Sequence, residues 1–196
     1  MPTPDPLMLL PLFEELCGER VIVRPYREAD APELQAAVAE SRDHLRPWLP
    51  FADQHQTVAE SLGLIRYFMA QWLLRKDMDV ALCDATSGRY VGGGGLHPRD
   101  WDARVFEIGY WVRASEQGNG YVTEAARLLT EFAARRLNAN RVYLTCNAKN
   151  TRSAAVAERL GFTREGLLRS DRLTPDGRLR DTLVYGLVPG DAAWPQ

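Results

Sequence analysis

The spacing of apolar residues changes several times along this chain, and the changes mark its elements. Residues 20–24 set Val21, Ile22 and Val23 between two arginines and predict a first strand. Asp30, Pro32 and Glu33 form a helix start: an Asp cap, an early proline and a glutamate three residues on. That helix runs to about Glu40. Residues 45–51, Leu-Arg-Pro-Trp-Leu-Pro-Phe, hold two prolines that forbid a long helix and a large apolar investment in Trp48 and Phe51. They read either as a packed connector or as one wall of a substrate groove. Thr57 and Glu60 make a capping box for a helix to about Arg75, with Ile65, Phe68, Met69 and Trp72 on one side.

Residues 79–83 and 89–96 read as a hairpin turning at 86–89. Gly92, Gly93, Gly94 and Gly95 weaken its return strand and allow a bulge or close approach of another backbone. Residues 97–104 read as a loop. Residues 105–112 alternate as a strand, with Glu107, Gly109 and Trp111 on one face and Phe106, Ile108, Tyr110 and Val112 on the other. Helical spacing follows at Val122, Ala125, Ala126, Leu129, Phe132 and Ala133, to about Leu137. A strand at 141–146 and a short helix at 151–160 come next, the helix ended by Gly161 with Phe162 beyond it. A closing hairpin, 163–170 and 179–188, turns at Thr174-Pro-Asp-Gly177. The order is β-α-α-β-β-β-α-β-α-β-β, an α/β chain with about seven strands.

Between the strand at 105–112 and its helix lies Ser115-Glu-Gln-Gly-Asn-Gly-Tyr-Val-Thr. The first N–H groups of a helix lack partners and sit at the positive end of its dipole. Gly118 and Gly120 carry no Cβ, so a pyrophosphate can approach the backbone there. An ordinary strand-to-helix turn is the competing reading. No Gly-Lys-Ser/Thr closes the loop, which argues against a nucleoside-triphosphate site. Thr123 stands where a dinucleotide fingerprint has its third glycine.

The remaining composition narrows the setting. The 196 residues are 45% apolar and 26% charged, with net charge −2, values of a globular domain with no general attraction to nucleic acid or membrane. Three distant cysteines, Cys17, Cys83 and Cys146, point to reduced thiols and a cytoplasmic setting. His44, His55 and His97 have no metal-ligand spacing, so no metal is expected. No basic residue precedes Arg20, and no run of about 18 apolar residues occurs, so neither a secretory signal nor a membrane span is expected. Residues 1–19 read as an arm, 20–190 as one domain and 191–196 as a tail.

Two stretches taken together resemble a known family. They are Glu107-Ile-Gly-Tyr-Trp-Val followed by Gln117-Gly-Asn-Gly-Tyr-Val-Thr-Glu-Ala, and Asn147-Ala-Lys-Asn-Thr-Arg-Ser followed by Ala-Glu-Arg-Leu-Gly-Phe162. In order and spacing they resemble the GNAT N-acetyltransferases, in particular the RimJ/RimL-like branch that acetylates ribosomal-protein N-termini. The likeness spans roughly residues 20–188. It implies a mixed central sheet splayed between its fourth and fifth strands and flanked by helices. It also implies acetyl-CoA as cosubstrate, its pyrophosphate on the amides of Gln117, Gly118, Asn119, Gly120, Tyr121 and Val122. Asn147 and Asn150 would meet the pantetheine arm, Asn150 serving also as a helix cap. Ser115 departs from the family motif, which has Arg or Gln there. Dimers are common in that family, so a homodimer stays open.

Acetyl transfer to an amine requires loss of a proton from the amine, stabilisation of an oxyanion and a protonated leaving thiolate. Glu107 is the candidate base, through a water; the alternative is a carboxylate paired with Arg99 or Arg104. The oxyanion donor is a backbone N–H near Trp111 or Val112. Ser153 matches the family position that protonates the thiolate. Cys146 lacks a neighbouring histidine and reads as a small core residue. Trp48, Phe51 and Tyr110 are expected to line the acceptor groove. An α-amine, with pKa ~8, is about a tenth neutral at pH 7, whereas a lysine at ~10.4 is almost wholly charged. One modest base therefore suits a protein or peptide N-terminus. The alternatives are a small-molecule amine, or an acyl-CoA-binding module without turnover.

Overall fold

The computed structural model describes residues 6–54 and 56–195. The first five residues of the expected arm, the last of the tail, and His55 lie outside the described residues. Eight strands form one sheet in the order β1-β2-β3-β4-β5-β6-β8-β7. They are β1 (Leu16–Cys17), β2 (Val21–Pro25), β3 (Met78–Asp84), β4 (Tyr90–Asp100), β5 (Val105–Val112), β6 (Arg141–Asn147), β7 (Thr163–Leu173) and β8 (Leu179–Leu187). The eighth strand, absent from the sequence reading, is β1. Its two residues pair with Val23 and Ile22 at the sheet edge, too short to show alternation.

Among the described residues, four α-helices cover the sheet: α1 (Ala31–Leu45), α2 (Val58–Leu73), α3 (Tyr121–Arg136) and α4 (Thr151–Arg159). The two faces of β5 separate two cores. Phe106 and Ile108 join the α3 and α4 side, with Leu129, Phe132, Val142, Leu144 and Val156. Trp111 packs on the other side, where Tyr26, Leu34, Val38 and Ile65 are buried. The alternation read from the sequence thus holds along β5.

Two helix starts differ in mechanism. Thr57 accepts from Glu60 N–H while Glu60 accepts from Thr57 N–H, the reciprocal box read from the sequence. Thr57→Ala is expected to lower stability by about 1 kcal/mol, read as a shift in the urea midpoint at unchanged slope. Asp30 makes no side-chain cap. A 3-10 turn over Glu28–Asp30 already holds it in the αR region, and its carboxylate turns back to Arg24 (2.7 and 2.8 Å) and Arg27 N–H (2.8 Å). Helix α1 also outlasts Glu40, because Ser41 and Leu45 continue its buried stripe.

The four glycines permit the close backbone approach foreseen for them. A Cβ on Gly92 would lie 2.4 Å from the Trp111 carbonyl oxygen, and one on Gly94 2.8 Å from that of Gly109. Strand β4 runs to Asp100, so residues 97–100 are strand where a loop was expected. His97 and Pro98 stand opposite Glu107 and Phe106, and the register slips only after Pro98. Proline survives here at the irregular end of the ladder, where a missing N–H costs little.

Candidate active site

The parallel ladder between β5 and β6 holds for three pairs, ending at Glu107 opposite Tyr143, although β5 continues to Val112 and β6 to Asn147. The strands part there, the splay expected between the fourth and fifth strands of the seven-strand reading. It opens into a cleft of about 1760 Å³ that reaches from His97 and Trp48 past Tyr110 and Trp111 to Gly118, Gly120 and Asn150. Small-ligand pockets run to roughly 300–1,000 Å³, so this cleft has room for a long two-part substrate.

Backbone polarity along β5 follows from ladder alternation. Arg113 N–H donates to the Val91 carbonyl at 2.8 Å, and the carbonyls of Gly109 and Trp111 also lie against β4. N–H and C=O of one residue point to the same side of an antiparallel strand. Trp111 therefore spends its N–H on β4, and Tyr110 and Val112 turn theirs toward the splay. Of the two N–H groups expected as oxyanion donors, only that of Val112 faces the splay.

The glycine loop forms the far end. Gly118 and Gly120 have φ +82° and +83°, and a Cβ on Gly118 would meet no atom within 4 Å. The first backbone bond of α3 runs from Glu124 N–H to the Gly120 carbonyl at 3.0 Å, so the N–H groups of Tyr121, Val122 and Thr123 lack carbonyl partners in the helix. These amides and the αL glycines make a concave anion cradle. Buried Glu116 braces the loop from beneath through Arg89 and Asn119. Gln117 accepts from Arg152 of α4 across the mouth. The Tyr121 hydroxyl donates to Asp84 at 2.7 Å.

Ser115 takes no part in the cradle. Its hydroxyl and its N–H (2.9 Å) bond Glu40, as does Arg113, and these contacts pull the Glu40 carboxyl down to about 2. The guanidinium that stands over the loop belongs to Arg20, whose Cδ would lie 3.5 Å from a Cβ on Gly120. Arg20 lines the cleft, and no ion pair of its side chain occurs among the described residues. Only the fold brings it 100 residues along the chain to the loop, so local sequence carried no signal for it.

Across the splay, Asn150 caps α4 by accepting from Ser153 N–H at 3.1 Å, and Asn147 accepts from Lys149 N–H at 2.9 Å. The Ser153 hydroxyl lies 3.2 Å from the Tyr110 hydroxyl. Burial pushes Tyr110 up to about 12 against that hydrogen bond, so it stays a donor. Tyr110, expected on the acceptor groove, is thereby placed beside Ser153. Cys146 is buried, and burial pushes its thiol up.

Glu107 sits where the strands part. Arg99 (2.9 Å) and the Tyr143 hydroxyl (3.4 Å) donate to one of its oxygens, and Thr145 donates to the other at 2.8 Å. The arginine pairing weighed from the sequence is present, through Arg99; Arg104 instead donates to the Leu137 carbonyl. Trp48 lines the cleft. Phe51 lies behind Trp111, ring centroids 5.9 Å apart, and supports the wall without forming it.

Comparison with known proteins agrees with this geometry. A family model described as the acetyltransferase (GNAT) domain matches residues 20–163. YdaF of Bacillus subtilis (strain 168), named as a candidate ribosomal N-acetyltransferase, is 31% identical over 180 residues, 90% of this chain and 96% of its own. The [ribosomal protein uS5]-alanine N-acetyltransferase of Escherichia coli (strain K12) is 28% identical over 186 residues, 90% and 91% of the two chains. RimJ of Mycobacterium smegmatis, solved in complex with CoA-disulfide, superposes with TM-score 0.79 at 26% identity, covering 88% of this chain and 86% of that one.

Proposed function

Since this chain belongs to the GNAT acetyltransferase family, an acetyl-CoA-dependent group, we propose that its acceptor is the N-terminal α-amine of a protein, with ribosomal proteins the leading class. The observation that carries the reading is the parting of β5 from β6 directly beside an amide-lined helix mouth. The named acceptors of the relatives supply the class. Such an enzyme works in the cytoplasm, where ribosomal proteins are made.

Acetyl-CoA supplies an activated acetyl group on sulfur. The residues present suit it. Gly118 and Gly120 leave the backbone bare for the diphosphate, and Arg20 supplies the side-chain charge that Ser115 does not. Asn147 and Asn150 border the path of the arm. Val112 N–H stabilises the oxyanion. The Ser153 hydroxyl, backed by Tyr110, gives a proton to the departing sulfur. Glu107, fixed by Arg99 and Thr145, orients the acceptor's amino group at the apex.

The test is mass spectrometry of free-amine peptides and small amines incubated with the protein and acetyl-CoA. Acetylation at peptide α-amines is expected; acetylation of small amines alone would overturn the acceptor class. Ser153→Ala and Glu107→Gln are each expected to lower kcat by about a hundredfold while acetyl-CoA affinity stays within about threefold. Unchanged turnover in both would remove these assignments.

A further inference from the structure

His97 lies on β4 directly opposite Glu107, on the same face of the sheet. Its Nδ1 is 2.5 Å from Asp77 Oδ1, with the two side chains 19% and 34% exposed. The ring is folded along the sheet over two glycines. A Cβ on Gly95 would come within 2.5 Å of Cε1 and 2.7 Å of Nε2, and one on Gly109 within 3.1 Å of Nε2. Any side chain at Gly95 would push the ring out of this place. Nε2 lies over Gly109, the next residue of that face of β5 on the way to Trp111, near where the acetyl group must sit if the reading above holds. No hydrogen bond to Nε2 occurs among the described residues, and His97 lines the same cleft as Tyr110 and Ser153. Glu107, expected as the base, has its oxygens turned to Arg99 and to Thr145 on β6.

We propose that His97, held by Asp77, is the group that takes the proton from the acceptor amine, with Glu107 positioning that amine. This rests on the acetyl-transfer reading. The acceptor reacts as the neutral amine: its nitrogen forms a bond to the acetyl carbon and gives one proton to Nε2. The carbon–sulfur bond breaks, and the thiolate takes a proton from Ser153. Protons then exchange with solvent, so His97 and Ser153 return to their starting forms. Asp77 fixes the tautomer with Nδ1 protonated and Nε2 free to accept.

The charged groups facing the ring are Asp77, just before β3, Asp79 of β3, Arg99 of β4 and Glu107 of β5. Burial lowers the His97 pKa, but the Asp77 hydrogen bond and charge, with Asp79, outweigh burial and raise it above the ordinary 6.5. Burial and the charge of Asp77 raise Asp79 to about 7. A base must be neutral to act, so kcat/KM should rise with pH along a limb centred above 6.5.

The experiment records that limb with acetyl-CoA and a short free-amine peptide, together with an NMR titration of the His97 ring and CoA affinity by calorimetry. His97→Asn should lose the limb and about a hundredfold or more in kcat while binding CoA like the parent. Asp77→Asn should move both limb and ring titration to lower pH. Asp79→Asn should move the limb down while keeping it, and Glu107→Gln should keep it. A limb intact in His97→Asn, or lost in Glu107→Gln, overturns the assignment to His97. A parent chain that acetylates no amine instead overturns the acetyl-transfer reading, and the ring titration still reports on the Asp77 contact.

Discussion

Gly118→Val is expected to fold and to lose about a thousandfold in acetyl-CoA affinity, roughly 4 kcal/mol. The two parts of that expectation separate because a Cβ at Gly118 meets nothing within 4 Å, so no packing is disturbed. The cost to the fold is the φ of +82°, which a β-branched residue avoids by about 1–2 kcal/mol. The cost to binding is larger. The branched side chain projects into the space proposed for the diphosphate. Charge-assisted bonds from N–H groups contribute about 1.5–3 kcal/mol each, so losing two accounts for the estimate. Gly88→Val is the control. Gly88 also has positive φ (+72°) and open space around its Cβ, but it sits in the β3–β4 turn, outside the residues lining the cleft. Calorimetry should find equal losses of stability in the two variants and a loss of CoA affinity only in Gly118→Val. Unchanged affinity in Gly118→Val would mean that the diphosphate lies elsewhere.

That loop was legible because its chemistry is local. Two glycines, a preceding strand and a following amphipathic helix lie within 32 consecutive residues, and each signal is short-range. The Thr57 box and the Gly161 cap, where Phe162 N–H returns to the Ala157 carbonyl at 3.0 Å, were legible for the same reason. His97 was not. Its partner Asp77 is 20 residues away, and its ring orientation depends on glycines of two strands, so only register exposes the arrangement. Pro98 also disguised its strand as a loop. The resemblance located the splay, but only the ladder shows that it begins after Glu107 and that Val112, not Trp111, directs its N–H there.

The cleft therefore draws on both cores. Ser153 and Tyr110 belong to the α3 and α4 side, where the proposed mechanism protonates the sulfur. His97 and Glu107 belong to the opposite face, where the proposal has the amine lose its proton. The backbone of 110–112 lies between these two pairs on β5.

Glu124→Ala is expected to destabilise the protein by about 3–4 kcal/mol. Glu124 lies in the first turn of α3, 8% exposed, and accepts three backbone N–H groups: Glu19 at 3.0 Å, Arg20 at 2.7 Å and Val21 at 2.9 Å. Gly18 completes the wrap, since a Cβ there would come within 2.6 Å of the carboxyl carbon. Alanine leaves three donors around a buried cavity without a partner, and the entry to β2 comes loose. Burial raises the Glu124 pKa, but the N–H groups of Arg20, Glu19 and Val21 outweigh burial and lower it below 4.5. The sign follows: this stabilisation is fully present above pH 4.5 and is lost as pH falls through the lowered value. Urea titrations should therefore show parent and Glu124→Gln far apart at pH 7 and converging at acid pH. The same clamp aims Arg20 at the glycine loop, so CoA affinity should fall in Glu124→Gln and in Arg20→Ala alike. Parent-like stability of Glu124→Ala at pH 7 would show that the arm does not depend on this carboxylate, and would remove the reason for Arg20 to stand over Gly120.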